Sequence, residues 1–368
     1  MIICSPQLGL SPNSALGGEV FDREILLGLA EKGVMIQIIL PYGKSAGKIP
    51  KNWKIHRIFI THFPALLFNF LLIGPLFKIN RQKKISIIRL HQPQFTGIGS
   101  LVFKFFNRHT KIIATYHQFK ETKFWFLSKK INNAWDHIIC DSENVKQKIT
   151  NEYKVPQQKI TVVHNGVPKY LEPSSKDKKL ERSLDLQNKA VLLFMGSLIE
   201  RKNPLFLLDV ILKIKEKFPG IVLIYWGEGP QKGAIIKRAQ SMGLSENIRM
   251  QKPLFGPGKN LIHNLADIFV LPSLDEGFAL APLEAMTCGK PVILNKSHSA
   301  SEAVSNGQNG YLCMPNNRND WARKIIKILK NKRLRKKMEE AARQKALKEF
   351  QWGISVEKHL DVLKSLNS

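Results

Sequence analysis

Residues 268–294 read IFVLPSLDEGFALAPLEAMTCGKPVIL, in the order strand, loop, helix, strand. Ile268 to Leu271 is a short apolar run of buried-strand type, and Pro272 stops it. Ser273 to Ala281 is a loop carrying Asp275, Glu276 and Gly277. Pro282 suits a first helical position, where its missing N–H is no loss. Gly289 suits the residue just past a helix end, where positive φ is needed. Pro291 to Leu294 then opens the next strand.

Two glutamates interrupt this apolar segment, Glu276 and Glu284. Glu276 falls in the loop at the carboxyl end of a strand, where ligands of open α/β sheets collect. Glu284 is expected in the first helical turn, beside free backbone N–H groups that attract anions. One carboxylate can hold sugar hydroxyls and the other ribose hydroxyls, while the N–H groups face a diphosphate. Taken singly, each favours a plainer reading: Glu284 complements a helix dipole and Glu276 is a solvated loop residue.

The stretch as a whole resembles the glutamate–seven–glutamate signature of the retaining glycosyltransferases of family 4, and LPS, EGF, PLEAM and GKPVI follow that pattern. The resemblance implies an α/β protein of the GT-B fold, two Rossmann-like domains facing each other across a central cleft. Residues 1–168 would form the acceptor domain, with a last helix, 352–368, packing back onto it. Residues 169–351 would form the nucleotide-sugar domain.

Composition agrees with two domains: 368 residues, 43% hydrophobic, suffice for two cores of ordinary size. The formal net charge of +28 calls for an anionic partner, whether membrane lipid, nucleic acid or acidic substrate. Cys4, Cys140, Cys288 and Cys313 are scattered, which argues against a disulfide framework or zinc site and suits a reducing cytosol. No signal peptide is evident, since Met1 leads directly into a strand-like run.

The first half opens as a βαβ unit: a strand at 1–4, a loop ending in Gly17-Gly18-Glu19, a helix from Val20 to Lys32, and a strand from Val34 to Leu40. The glycine pair would let backbone approach a ligand, though a lone pair reads better as a plain turn; family 4 places its glycine-rich loop here. From 32 to 120 there is no Asp or Glu. Within that span 63–79 (FPALLFNFLLIGPLFKI) nears membrane-spanning length, but Gly74-Pro75 breaks it. It reads either as a buried helix with a loop or as an apolar ridge resting on an anionic membrane. The Lys–aromatic mixture at 120–130 reads as an interfacial loop. Strands are expected at 85–90, 111–116 and 136–142. His117 ends the second of these, in an ATYHQF context that resembles that of the family's histidine contacting the donor sugar. His91 is the weaker candidate.

The boundary is expected near His164-Asn165-Gly166-Val167, followed by a polar linker over 172–189. A strand at 190–195 leads into GSLIERKN (196–203), a glycine turn with Arg201 and Lys202 ahead of a helix starting at Pro204. This is a sensible diphosphate cradle. It resembles the family's Gly-Arg-Leu…Lys motif, with Ser197 where the arginine stands and Lys202 matching the lysine. Strands at 221–226, running into Gly227-Glu228-Gly229-Pro230, and at 247–251 follow. EAVSNGQNG (302–310) resembles the family's short helix and turn, 319–350 reads as a basic helical stretch, and 352–366 as an amphipathic helix.

The implied activity is sugar transfer, with retention, from a UDP- or GDP-sugar to a saccharide or lipid-linked acceptor. Glu276, His117, Lys202 and Arg201 would act on the reacting groups. Gly17, Gly18, Ser197, Gly227, Gly277, Phe278, Ala279, Leu280 and Glu284 would hold the donor. No Asp-x-Asp is present, and neither cofactor nor metal is expected. The expected location is the cytoplasm, with peripheral attachment to the inner face of the plasma membrane. A nucleotide-sugar epimerase or phosphorylase of the same fold, and a polyanion-binding protein, are the rival readings. The last is disfavoured because the basic residues are dispersed and no nucleic-acid motif occurs.

Overall fold

The computed structural model describes residues 1–14, 16–60, 67–118 and 125–367, with side chains after 124 described from 128 onward. The start of the apolar segment (63–66) and of the Lys–aromatic mixture (120–124) lies outside the described residues. From 125 that mixture is helix, Trp125–Asn133, where a loop is expected. The chain divides into two units, 1–165 with 352–368, and 166–351, so the seam falls within Asn165-Gly166.

The first unit is built on seven parallel strands. They are β1 (Ile2–Pro6), β2 (Met35–Pro41), β3 (Trp53–Ile58), β4 (Ile87–Leu90), β5 (Lys111–Tyr116), β6 (His137–Cys140) and β7 (Ile160–Val162). Their order is β3-β2-β1-β4-β5-β6-β7, so the direction of winding reverses between β1 and β4. The apolar runs IIRL and HIIC are buried almost throughout, as strands of a parallel sheet covered on both faces must be. The helix Gly17–Glu31 follows β1, beginning before the expected Val20 and taking Gly17 and Gly18 into its first turn rather than a loop. The helix Trp352–Asn367 packs against it. Gly28 makes that contact possible, because a Cβ there would lie 2.3 Å from a Val356 methyl carbon.

The second unit carries six parallel strands. They are β8 (Val191–Met195), β9 (Val222–Trp226), β10 (Ile248–Gln251), β11 (Ile268–Leu271), β12 (Val292–Asn295) and β13 (Gly310–Cys313). The order is β10-β9-β8-β11-β12-β13, with the reversal between β8 and β11. One core runs through this unit from Val167 to Phe350.

Several local expectations are corrected. Residues 172–189 are not a linker: the Glu172 and Ser174 N–H groups donate to Asn260 and Asn264 side chains, Lys178–Ser183 is helical, and Leu184 and Leu186 join the core. The stretch 319–350 is two helices, Arg318–Lys330 and Lys332–Glu349, parted at Asn331, whose side chain caps the second. The helix after GSLIERKN starts at Phe206, since Pro204 lies in the turn ahead of it. Among the described residues no helix is long and apolar enough to cross a membrane.

Candidate active site

In the second unit the polar groups gather where the winding reverses, at the carboxyl ends of β8 and β11. After β8 the chain turns through Gly196, makes one 3-10 turn over Glu200–Lys202, and leaves through Asn203 in the left-handed region (φ 50°). The turn after β9 is stitched to it: Leu198 N–H donates to Glu228 O at 2.9 Å and Gln231 N–H to Leu198 O at 3.0 Å. Gly227 allows this approach, because a Cβ there would stand 1.9 Å from Gly196 O.

The two cations of that turn converge on the loop after β11. Arg201 Nη1 lies 2.9 Å from Glu276 Oε2, and Lys202 Nζ pairs with the other carboxylate oxygen. The same guanidinium donates to Asp275 O at 2.6 Å, and Leu274 N–H donates to Arg201 O at 2.9 Å. Below, Asn295 donates to Pro272 O and Ser273 O, and Ser299 Oγ to Glu276 O. Asn295 and Ser299 therefore hold the loop that presents Glu276. Neither is legible in the sequence as a site residue, because their partners are backbone oxygens with no signature. Ser197 sits in the turn, with its carbonyl accepting from Ile199 N–H.

The helix after the loop is Leu280–Thr287, with Ala279 as its N-cap residue and no side chain capping it. Pro282 is therefore the third helical residue rather than the first, and Glu284 is the fifth, just past the first turn in which it was expected. Gly289, at φ 70°, closes the helix as expected. Phe278 is a core residue packed against Phe350, so Gly277 to Leu280 can meet a ligand chiefly through backbone N–H groups. Glu284 is 4% exposed, 2.7 Å from Lys259 Nζ and 3.5 Å from His263 Nε2. Burial would raise its carboxyl, but Lys259 and His263 together outweigh burial and hold it at about 2.

The first unit has its own cluster at the β1/β4 reversal. Asp22, on the helix Gly17–Glu31, lies 2.6 Å from Arg89 of β4 and 3.3 Å from His91, all of them buried. Gln7 donates to the second Asp22 oxygen. Burial would raise the Asp22 carboxyl; Arg89 and then His91 hold it far below its usual range. His117 follows β5, edge-on to Phe21 and 5.1 Å ring to ring from His91. Burial first, then the neighbouring His91, push His117 down to about 3, so its ring is neutral at pH 7. Its Nε2 has no hydrogen-bond partner among the described residues. Gly18 fits above both rings: a Cβ there would lie 3.2 Å from each. Gly17, Gly18, His91 and His117 line one chamber of about 1060 Å³ together with Phe95 and Tyr116. Asp22, His91 and His117 each bring a ligand atom within 4.8 Å of the others. The cation that Asp22 takes in this arrangement is the Arg89 guanidinium.

Two all-parallel Rossmann-like units, each with its polar cluster at the strand-order reversal, define a GT-B protein. The chain belongs to the group 1, family 4 glycosyltransferases: the Glycosyl transferases group 1 model matches residues 175–345 and the Glycosyltransferase Family 4 model residues 16–169. Among curated relatives, D-inositol 3-phosphate glycosyltransferase of Corynebacterium jeikeium is 30% identical over 241 residues, covering 62% of this chain and 56% of that protein. The UDP-Gal:alpha-D-GlcNAc-diphosphoundecaprenol alpha-1,3-galactosyltransferase of Escherichia coli is 27% identical over 79% of this chain and 77% of its own. The chain spans about half the length of the first curated relatives it matches. Among solved structures, Anabaena HepE in complex with UDP and glucose superposes with a TM-score of 0.82 at 17% identity, covering 99% of this chain and 100% of that one.

Proposed function

We propose that the protein transfers a sugar from a nucleoside-diphosphate sugar to a hydroxyl acceptor, with retention of anomeric configuration. One observation carries the reading: the Glu276 carboxylate lies between Arg201 and Lys202 at the β8/β11 reversal. A carboxylate held by two cations is an anion site with its counter-ion already in place. A diphosphate would take the two cations, releasing Glu276 toward sugar hydroxyls. Arg201 thereby supplies the charge absent at Ser197. In the reaction the bond from the anomeric carbon to the diphosphate oxygen breaks and a bond to the acceptor oxygen forms on the same face. The acceptor proton passes to the departing phosphate oxygen. Arg201, Lys202 and the N–H groups at the start of Leu280–Thr287 would stabilise the charge that develops there. Glu284 would hold the ribose through the edge of its carboxylate, braced by Lys259. In the first unit, the neutral His117 ring offers a nitrogen to a sugar hydroxyl, while Phe95 and Tyr116 suit a lipid-borne acceptor.

The test is nucleotide release from a panel of UDP-, GDP- and ADP-sugars, followed by Glu276→Gln and Lys202→Ala on the donor that turns over. Each variant should lose about two to three decades of rate while keeping its fold, as expected for loss of a charged contact made in the transition state. Near-normal turnover in both would sink the assignment. Product released from the donor without any acceptor, with the sugar isomerised, would favour the epimerase instead.

A further inference from the structure

The helix Pro93–Phe106 has its apolar side chains on the wrong face for a helix of a water-soluble unit. Its buried positions are mostly small or polar, Thr96, Gly97, Gly99 and Ser100, with Pro93 and Phe103. Its exposed positions include Ile98, Val102, Phe105 and Phe106, the last two 70% and 67% exposed. The orientation is locked. The Asn69 side chain donates to Gln94 O at 3.0 Å and accepts from Ile98 N–H at 2.9 Å, spanning one rung of the helix ladder. Gly99 lies so close to the same residue that a Cβ would stand 1.9 Å from Asn69 O. Rotating the helix to bury its phenylalanines would break both contacts.

The neighbouring helices extend the face. Phe68–Leu71 exposes Phe70 (62%) and Leu71 beside it. Ile73–Gln82 adjoins it through Phe77, whose ring is 6.0 Å from that of Phe106. Single exposed apolar residues are ordinary, but a contiguous set is not. Its surroundings decide the partner. Lys78, Arg81, Lys83, Lys84 and Arg108 are exposed on these helices and the turns after them, and form no ion pair among the described residues. Residues 32–120 hold fifteen lysines and arginines and no acid.

We propose that this face seats the first unit on an anionic lipid bilayer. Phe70, Phe105 and Phe106 enter the boundary between headgroups and acyl chains, while the surrounding lysines and arginines meet headgroup phosphates. Aromatic insertion with basic flanks gives reversible attachment without a spanning helix. Seating on lipid is independent of sugar transfer and would survive failure of the transferase reading.

Sedimentation of the full chain with vesicles tests it, comparing phosphatidylcholine alone with phosphatidylcholine containing one-third phosphatidylglycerol. Binding should appear only with the anionic lipid and weaken as salt rises. Phe70→Ser with Phe105→Ser should reduce partitioning at least tenfold, as should Lys78→Gln, Arg81→Gln, Lys83→Gln and Lys84→Gln together. The replaced side chains are exposed, so unfolding transitions should stay near that of the parent. Equal binding to neutral vesicles, or none to anionic ones, overturns the proposal. So does binding that the charge variant weakens and the phenylalanine variant leaves intact. A dimer in lipid-free solution that Phe70→Ser with Phe105→Ser disperses would assign the face to a second copy instead.

Discussion

At the scale of single residues, Glu276 and Glu284 are legible because carboxylates stand out in an apolar segment and their spacing is fixed by one loop and one helix. Asp22 and Arg89 are not legible, because their pairing is made by the β1/β4 reversal, which no local pattern records. In sequence Asp22 is a polar residue in a helix and Arg89 an interruption of IIRL. In the fold they are a fully buried ion pair beneath His91 and His117. Burying two charges is offset only while both are present; removing one leaves the other stranded. Asp22→Asn should therefore cost about 3–5 kcal/mol, and Asp22→Asn with Arg89→Met should recover much of it. Denaturant unfolding of the two single variants and the double variant measures the coupling. Additive losses would mean that the pair contributes nothing to the first unit as a pair.

At the scale of elements, the inner strands are legible as apolar runs bounded by turn residues, and β5 and β11 match their expected limits. The strands that escape the sequence reading are β3, β7 and β13, all at sheet edges. An edge strand is short or polar on one side, as WKIHRI is, and shows little of the continuous apolar signal that burial on both faces produces. The apparent linker 172–189 fails for a related reason: its polar side chains face water, while its backbone is held by Asn260 and Asn264. Glycines show the same limit. The sequence places Gly227 in a turn but does not show that a Cβ there would collide with Gly196 O, while Gly233 opens on empty space in the helix Lys232–Ser241. Gly227→Ala should lose about 2–3 kcal/mol by forcing apart the turns after β8 and β9. Gly233→Ala should gain about 0.5–1 kcal/mol from helix propensity alone. Thermal unfolding of both variants reads the contrast, and equal effects would contradict the stitched turns.

At the scale of the whole molecule, two units with separate cores carry different titrating groups. In the first unit, burial chiefly holds His117 and His359 at about 3 against an ordinary 6.5, and His56 and His137 are lowered in the same direction. A folded pKa below the unfolded one means that the unfolded chain binds more protons between those values. Stability therefore rises with pH across that window and falls as pH drops below 6.5. Each strongly shifted histidine contributes a slope of about 1.4 kcal/mol per pH unit there. In the second unit His263 is lowered by burial, but Glu284 opposes that shift. The larger displacement there is Glu284 itself, at about 2 against 4.5, whose contribution is intact above 4.5 and is lost as pH falls toward 2. Acid should thus open the first unit before the second. Hydrogen exchange read by mass spectrometry between pH 7 and 3 resolves this: peptides spanning β4 and β5 should lose protection between about pH 6 and 4, and those spanning β8 and β11 should hold until below about 4.5. His359→Gln, which replaces a buried titrating ring with a neutral amide, should shift the first loss to lower pH. A single transition shared by all peptides and unmoved by that substitution would show that the buried histidines do not set the acid stability of the first unit.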